Sequence, residues 1–480
     1  MAISKRSSLN SENCQLPWVR VAPEAPYFLA EDGHPWTPIG QNDAITWPDF
    51  AGLFRRQNVA AVEGHLAWLA SHGVTCLRLM LEYCQAEHRY LERPIGYFQP
   101  NMVRFWDDLF ALCAKYGLRV LATPYDTFWM WRRWRHHPYS KAQGGPVARR
   151  SQWLLSPAMR AAIKGRLTFA AERWGGSGAL FAWDLWNEIH PAHAQNNPAG
   201  FHEFISEVSQ HLREVEMRCF GRTHLQTVSL FGPVLAKHPS LGEVIFRHPE
   251  LDFATTHFYD AATIDNPRDT VGAARCTGML MREALAQLPP EKPFLDSEHG
   301  PIHSFKDRGR TLPVAFDDEY FRHMQWAHLA SGGAGGGLRW PNRHPHVLTH
   351  GMRAAQRSLV AFLPLIDWAQ FRRRNLNHEA RLSTAAFACF ACGDTAQAIA
   401  WLLRLDCTTK TRGTLRQRVP PLAVQLTLPG LADGRYTIHF WDTVMGHETG
   451  HLAALSADGQ LVLDLPEVRA DLALAVVRAN

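Results

Sequence analysis

Two glutamates are placed to do chemistry. Glu188 closes the apolar run "FAWDLWNE" (181–188), directly after Asn187, and the chain then turns at once into His190 and Pro191. Glu298 stands far downstream in "KPFLDSEHG" (292–300). A strand bearing Trp183 and Trp186 belongs in a core, so a carboxylate at its end must face a cavity or water. Two carboxylates facing each other across a cleft have a definite use. One stays protonated and donates to a leaving oxygen while the other attacks an anomeric carbon, and a gap of ~5–5.5 Å gives retention. Like charge and partial burial raise the pKa of the acid, and an Arg beside the other carboxylate holds it ionised. Arg78 is a candidate for that second task, with Tyr259 as a hydrogen-bond donor to the same carboxylate.

Such a pair needs a scaffold that brings distant strand ends together. Between about residues 27 and 363, eight short apolar runs alternate with segments of helical period. The runs lie at 36–42, 74–81, 118–126, 180–188, 224–232, 251–260, 292–300 and 335–340. Helical patterns occupy 59–73, 102–117, 157–175 and 201–221, and recur near 269–288, 317–331 and 350–363. Alternation argues a parallel sheet and the number eight argues closure, so the expected fold is α/β, a (β/α)8 barrel. An open doubly wound sheet competes, but no Gly-rich nucleotide turn follows the first strand. After "FLPLIDWAQF" (362–371) the texture changes to short alternating runs cut by Gly, Asp and Pro, which predicts a small C-terminal antiparallel β-sandwich. The expected division is a barrel with an N-terminal extension over 1–368 and the sandwich over 369–480, the latter packing on the barrel or binding glycan.

In a barrel of this kind the chemistry sits where strands end at the C-terminal rim. Asn42 ends the first strand, Arg78 lies on the second, which reaches Glu82, and Asn187-Glu188 end the fourth. His257 and Tyr259 end the sixth, Glu298-His299 the seventh and Trp340 the eighth. "WDLWNE" followed by "THFY", "PFLDSEHG" and "LRW" resembles the glycoside hydrolase clan whose (β/α)8 barrels carry catalytic glutamates on strands four and seven. Family 5 and related β-mannanase or cellulase-like enzymes are the nearest in pattern, over about residues 27 to 363, including the opening "YFLAEDGHPWTPIGQND". The resemblance implies that Glu188 is the acid/base and Glu298 the nucleophile. It further implies that Asn187 bonds the sugar 2-hydroxyl, that Arg78 steadies the nucleophile, and that Trp340 is the platform beneath the sugar. His257 and Tyr259 match the pair on strand six. Two departures stand out: Glu-His-Gly where an apolar or aromatic residue often follows the Glu, and "TPYDTF" without a His after strand three.

The segment from Thr127 to Leu155 holds six Lys or Arg, four Trp and no acidic residue. It is either a solvated rim or a cleft wall on which Trp131 or Trp134 stacks a sugar, with one or two of Arg132, Arg133 and Arg135 reaching an anionic or decorated glycan. The His-rich pieces near 135 and 345 lack the helical His–Glu pairing of zinc hydrolases, so neither metal nor cofactor is expected. The net charge of +5 over 480 residues is no nucleic-acid footprint. Nine scattered Cys with a single CxxC, Cys389 to Cys392, predict reduced, buried thiols. Neither a signal peptide nor a membrane span is visible, which makes the cytoplasm the expected location and an oligosaccharide or polysaccharide the expected partner. The function expected is a retaining hydrolase of β-linked glycans, β-mannan or β-glucan type. An exo-acting β-glycosidase or a transglycosylase on the same site, and a non-catalytic glycan-binding barrel, are the alternatives.

Overall fold

Eight parallel strands form the ring that the alternation predicts. They are β1 (Gly40–Asp43), β2 (Cys76–Met80), β3 (Arg119–Thr123), β4 (Leu180–Asp184), β5 (Leu225–Thr227), β6 (Ala254–Phe258), β7 (Phe294–His299) and β8 (Leu338–Arg339). The computed structural model describes residues 16–85, 89–260, 262–302, 311–343, 345–406 and 419–479. Strand order is β5-β4-β3-β2-β1-β8-β7-β6, and a parallel bridge from Phe231 to His257 joins the two ends. A parallel sheet covered on both faces buries its strands throughout. Here every residue of the eight strands is buried except Glu298. Strand approach sets some residue choices outright: a Cβ on Gly40 would lie 1.6 Å from the Cys76 carbonyl oxygen, so β1 has glycine there.

Helices wrap the ring and begin where the sequence places caps. Asn58, Ser156, Asn197, Asp269 and Thr349 each accept an N-terminal backbone N–H, and Pro100, Pro157 and Pro198 occupy first helical positions. The chain after β5 differs from expectation. Two six-residue helices, Gly232–Lys237 and Leu241–Phe246, fill this unit, each too short to show a 3.6-residue period. Ahead of the barrel, the strands Val19–Val21, Phe28–Ala30 and Pro35–Trp36 form a small antiparallel sheet. Its Phe28 and Trp36 pack on Phe181 and Phe253, near the N-terminal ends of β4 and β6 and away from the glutamates.

The C-terminal strands form one nine-stranded antiparallel sheet, from Arg374–Asn375 to Asp471–Arg478. Its two halves share a core of Leu402, Leu426, Ile438, Leu461 and Leu474. The opposite face, with Phe390, Ile399, Trp401 and Trp441, packs with Trp326 and Phe362 of the barrel helices. Strand Gln397–Arg404 is therefore buried along its whole length. Cys389 and Cys392 stand three apart on one strand and so face opposite sides, one toward each core. Cys76, Cys84, Cys113 and Cys392 are buried free thiols, whereas Cys219, in the last turn of a long helix, is exposed, contrary to expectation.

One buried ion pair joins the two layers. Arg322 reaches Asp471 at 2.7 Å, and Asp471 also accepts from Thr443 and from the Trp401 indole at 3.0 Å. Burial raises the Asp471 carboxyl, but Arg322, His323 and these donors outweigh it and hold it below the usual range. Its stabilising effect is complete above the unfolded value, about pH 4, and is lost as pH falls through the depressed folded value. Asp471→Ala is expected to cost roughly 3 kcal/mol in urea unfolding at pH 7, because it strands a buried guanidinium. That cost should shrink in acid.

Candidate active site

At the C-terminal rim a single guanidinium collects four strands. Arg78, on β2 and fully buried, donates to Asp184 Oδ2 at 2.7 Å, Asn187 Oδ1 at 2.7 Å, Asn42 Oδ1 at 2.9 Å and Glu298 Oε2 at 2.9 Å. Asn42 spends both amide hydrogens on backbone, donating to Ser297 O at 2.8 Å and Leu338 O at 3.0 Å. It thus braces Arg78 and does not line the cavity, contrary to its expected place among substrate contacts. Burial disfavours the Arg78 charge, but Asp184 and Glu298 more than restore it, and its pKa lies above the usual value.

Glu188 is held in a conformation its residue type resists. Its φ is +48°, the left-handed region that a β-carbon makes costly. Three bonds impose it. Thr127 Oγ1 donates to Asn187 O at 2.6 Å, Glu188 N to Ser229 Oγ at 3.1 Å and Ile189 N to Ser229 O at 3.0 Å. Ser229 in turn donates its N–H to Asp184 Oδ1 at 2.9 Å, so Asp184 serves both the guanidinium and this clamp. Asp184, Ser229 and Thr127 were not picked out from sequence. Asp184 was detectable as a charged residue inside an apolar strand; the two hydroxyls were not.

Glu298 is re-aimed by a β-bulge, where the β7–β6 register shifts between Asp296 and Glu298. Asp296 Oδ1 accepts both Glu298 N at 3.2 Å and Phe258 N at 3.1 Å across the bulge. His299 points away from the cavity and bonds Asp296 Oδ2 at 2.7 Å, which accommodates a polar residue behind the glutamate. Tyr259 Oη donates to Glu298 Oε1 at 2.9 Å, and His257 Nδ1 lies 2.9 Å from Glu188 Oε1 and 3.7 Å from Glu298 Oε2. The two carboxylates thus meet around one imidazole, with one oxygen of each and the His257 nitrogen all within 4.8 Å of one another.

Their electrostatics differ. Burial pushes the Glu188 carboxyl up to about 7, against the pull of Arg78 and with Asp184 adding to the rise. Burial also raises Glu298, and Glu188 adds to it, but the Arg78 charge and the Tyr259 hydrogen bond act to keep it charged. Burial drives His257 down to about 4, so it is neutral between the two. The cluster of Glu188, His257 and Glu298 has metal-ligating atoms, yet the Arg78 charge beside it opposes a cation. A second such group, Glu82, Cys84 and His137, has its carboxylate bonded to His137 and paired with Arg166, each at 3.0 Å.

The rim encloses a cavity of about 430 Å³. Asn187, Glu188, Tyr259, Glu298, Trp340 and Trp131 line it; Arg78 and His257 lie behind its surface. Trp340 packs edge-on against Trp47 at 5.1 Å. Trp134 is displaced from its expected role. Its indole N–H donates to Ala148 O at 2.8 Å and its ring packs on Trp153 at 5.0 Å, so it holds the loop together from beneath. Arg132, Arg133 and Arg135 are exposed and stay out of the cavity, whereas Arg150, not singled out in the sequence, lines it. "TPYDTF" supplies Asp126, which caps the helix Thr127–Arg132, and the clamping Thr127.

No family model matches the chain, and no curated protein sequence does. Solved structures match it in shape. A glycoside hydrolase family 5 protein from Bacteroides vulgatus ATCC 8482 superposes with a TM-score of 0.57 at 12% identity, covering 98% of this chain and 93% of that one. A structure described as a glycoside hydrolase gives 0.55 at 12% identity over 96% and 97%. A family 5 mannosidase from Rhizomucor miehei gives 0.51 at 14% identity over 68% and 86%. The fold is that of family 5 glycoside hydrolases. The first two matches span the barrel and the C-terminal sheet together.

The raised Glu188 pKa has a consequence that needs no substrate. A carboxyl protonated up to about 7 when folded, but only to about 4.5 when unfolded, destabilises the fold increasingly as pH rises between those values. Glu188→Gln is therefore expected to stabilise the protein at pH 8, by ~3 kcal/mol at most. The gain should vanish below about pH 4.5, as followed by urea unfolding across pH.

Proposed function

We propose that the protein is a retaining glycoside hydrolase acting on β-linked glycans of the mannan or glucan type. The observation that carries this is the unequal pair of facing carboxylates: Glu188 raised to about 7, and Glu298 bonded by Arg78 and Tyr259. Carboxylate oxygens within 4.8 Å suit a direct displacement; inverting enzymes need ~6.5–9.5 Å for an intervening water. The mannosidase among the neighbours in fold supports the mannan side of the reading.

In the first step a Glu298 oxygen attacks the anomeric carbon as the glycosidic bond breaks, and Glu188 passes its proton to the departing oxygen. In the second, Glu188, now a carboxylate, takes a proton from water, and the resulting hydroxide displaces Glu298. Arg78 bonds the Glu298 oxygen and compensates its charge while free. Neutral His257 steadies the Glu188 carboxyl. Asn187 has one amide hydrogen on Thr127 Oγ1 at 3.0 Å, and the other is available for a sugar hydroxyl in the cavity.

Two measurements test these roles. Hydrolysis of aryl β-glycosides should fall as pH rises through about 7, where Glu188 loses its proton. Glu188→Gln should remove that limb and slow poor leaving groups by ~10²–10⁴-fold, with a far smaller loss on activated ones. Equal loss on both substrates removes Glu188 from the acid role. Separately, Glu298→Gly should be inactive until azide is added, and should then yield an α-glycosyl azide. Rescue of a Glu188 variant instead, or a β-azide, means that the two roles are exchanged.

A further inference from the structure

Beside the glutamates, one wall of the cavity offers donors that no acceptor among the described residues takes up. Arg150 comes from the short turn Arg150–Gln152 and lays its guanidinium over the Trp131 ring at 4.4 Å. His190 and His193 come from the turn that follows Glu188, with ring centroids 5.7 Å apart. The two turns are tied together, because Leu154 N donates to His193 O at 3.2 Å and Trp153 packs on the His193 ring at 4.8 Å. All three side chains line the cavity.

Hydrogen bonding fixes what these histidines present. His190 Nδ1 accepts the Ala192 N–H at 3.0 Å, and His193 Nδ1 accepts the Trp186 indole N–H at 3.3 Å. Each ring must therefore carry its proton on Nε2, as a donor. Burial, with Arg150 acting on both, lowers the two pKa values, so each is a neutral donor at pH 7. No ion pair is made by Arg150 among the described residues. The carboxyl groups that line the cavity are engaged elsewhere: Asp126 with the N–H groups of Trp129 and Cys84, Glu188 with His257, and Glu298 with Arg78 and Tyr259.

We propose that Arg150, His190 and His193 form a subsite for an anionic substituent of the substrate, a uronate carboxylate or a sulfate ester, on the leaving-group side of the cleft. Its placement rests on the glycosidase reading, since the wall adjoins Glu188, which that reading makes the donor to the leaving group. Charge comes from Arg150, and direction from the two Nε2–H groups. A fixed fork of donors suits a planar carboxylate or a sulfate oxygen face better than a neutral hydroxymethyl group.

Calorimetric titration of the full chain at pH 8 with methyl β-glucuronide, methyl β-glucoside 6-sulfate and methyl β-glucoside tests this without turnover. At least one of the two anions should bind ~10- to 100-fold more tightly than the neutral glucoside, the range expected of charge-assisted bonds. Preference for the glucuronide alone assigns a uronate, and for the sulfate alone a sulfate ester. Arg150→Met should abolish the preference, Arg150→Lys retain part of it and His190→Leu weaken it. The exposed Arg133→Ala should keep it in full. Equal binding of all three sugars, or a preference that survives Arg150→Met, overturns the proposal. A chain that shows this preference yet cleaves no aryl β-glycoside would refute the hydrolase reading and leave the anion subsite standing.

Discussion

A fully buried guanidinium must find all its partners inside the protein, and Arg78 finds them on β1, β4 and β7 at once. That requirement organises the rim. One positive charge lies between Asp184 and Glu298, and among the described residues Glu188 makes no ion pair with an arginine or a lysine. Glu188, a few ångströms away behind a neutral His257, is the group that stays protonated. Loss of the guanidinium would therefore leave two buried carboxylates unpaired and free Asn42 and Asn187 together.

The same network explains why Glu188 tolerates a left-handed backbone. Asp184 holds Ser229, Ser229 holds Glu188, and Thr127 holds the Asn187 carbonyl. Strain persists only where its surroundings over-determine it, and here the bonds come from β4, the β5 end and the loop after β3. Pre-positioned in this way, the carboxyl needs no reorganisation to present its proton, which is the property an acid catalyst requires. The C-terminal sheet lies across barrel helices, anchored by Arg322 and Asp471, and none of its described residues lines the cavity.

Much of this was legible in the sequence because parallel barrels repeat one simple pattern. Buried strands such as "VTCLRLML" read as continuous apolar runs, capped helices such as His350–Phe362 have a strong period, and polar residues at strand ends marked the rim. Asn187-Glu188 and Glu298 stood out because a carboxylate after an apolar strand has few structural uses. The helices after β5 stayed hidden, being too short for a period to show. Trp134 and Arg150 show the other limit: in an irregular loop, side-chain direction depends on turns such as 134–136 and 150–152, which no periodicity encodes. Asn42 and Ser229 show a third. Their place is set by what a buried Arg demands of its neighbours, a condition visible only once the strands have closed.

The central claim is that Arg78 and its partners leave the proton on Glu188 and the charge on Glu298. Carbon-13 NMR titration of the glutamate side-chain carboxyls, assigned with Glu188→Gln and Glu298→Gln, measures this directly. The account predicts that the carboxyl titrating near pH 7 disappears in Glu188→Gln, and that Glu298 is ionised one step earlier in the parent protein. A parent in which Glu298 holds its proton to higher pH than Glu188 would contradict it.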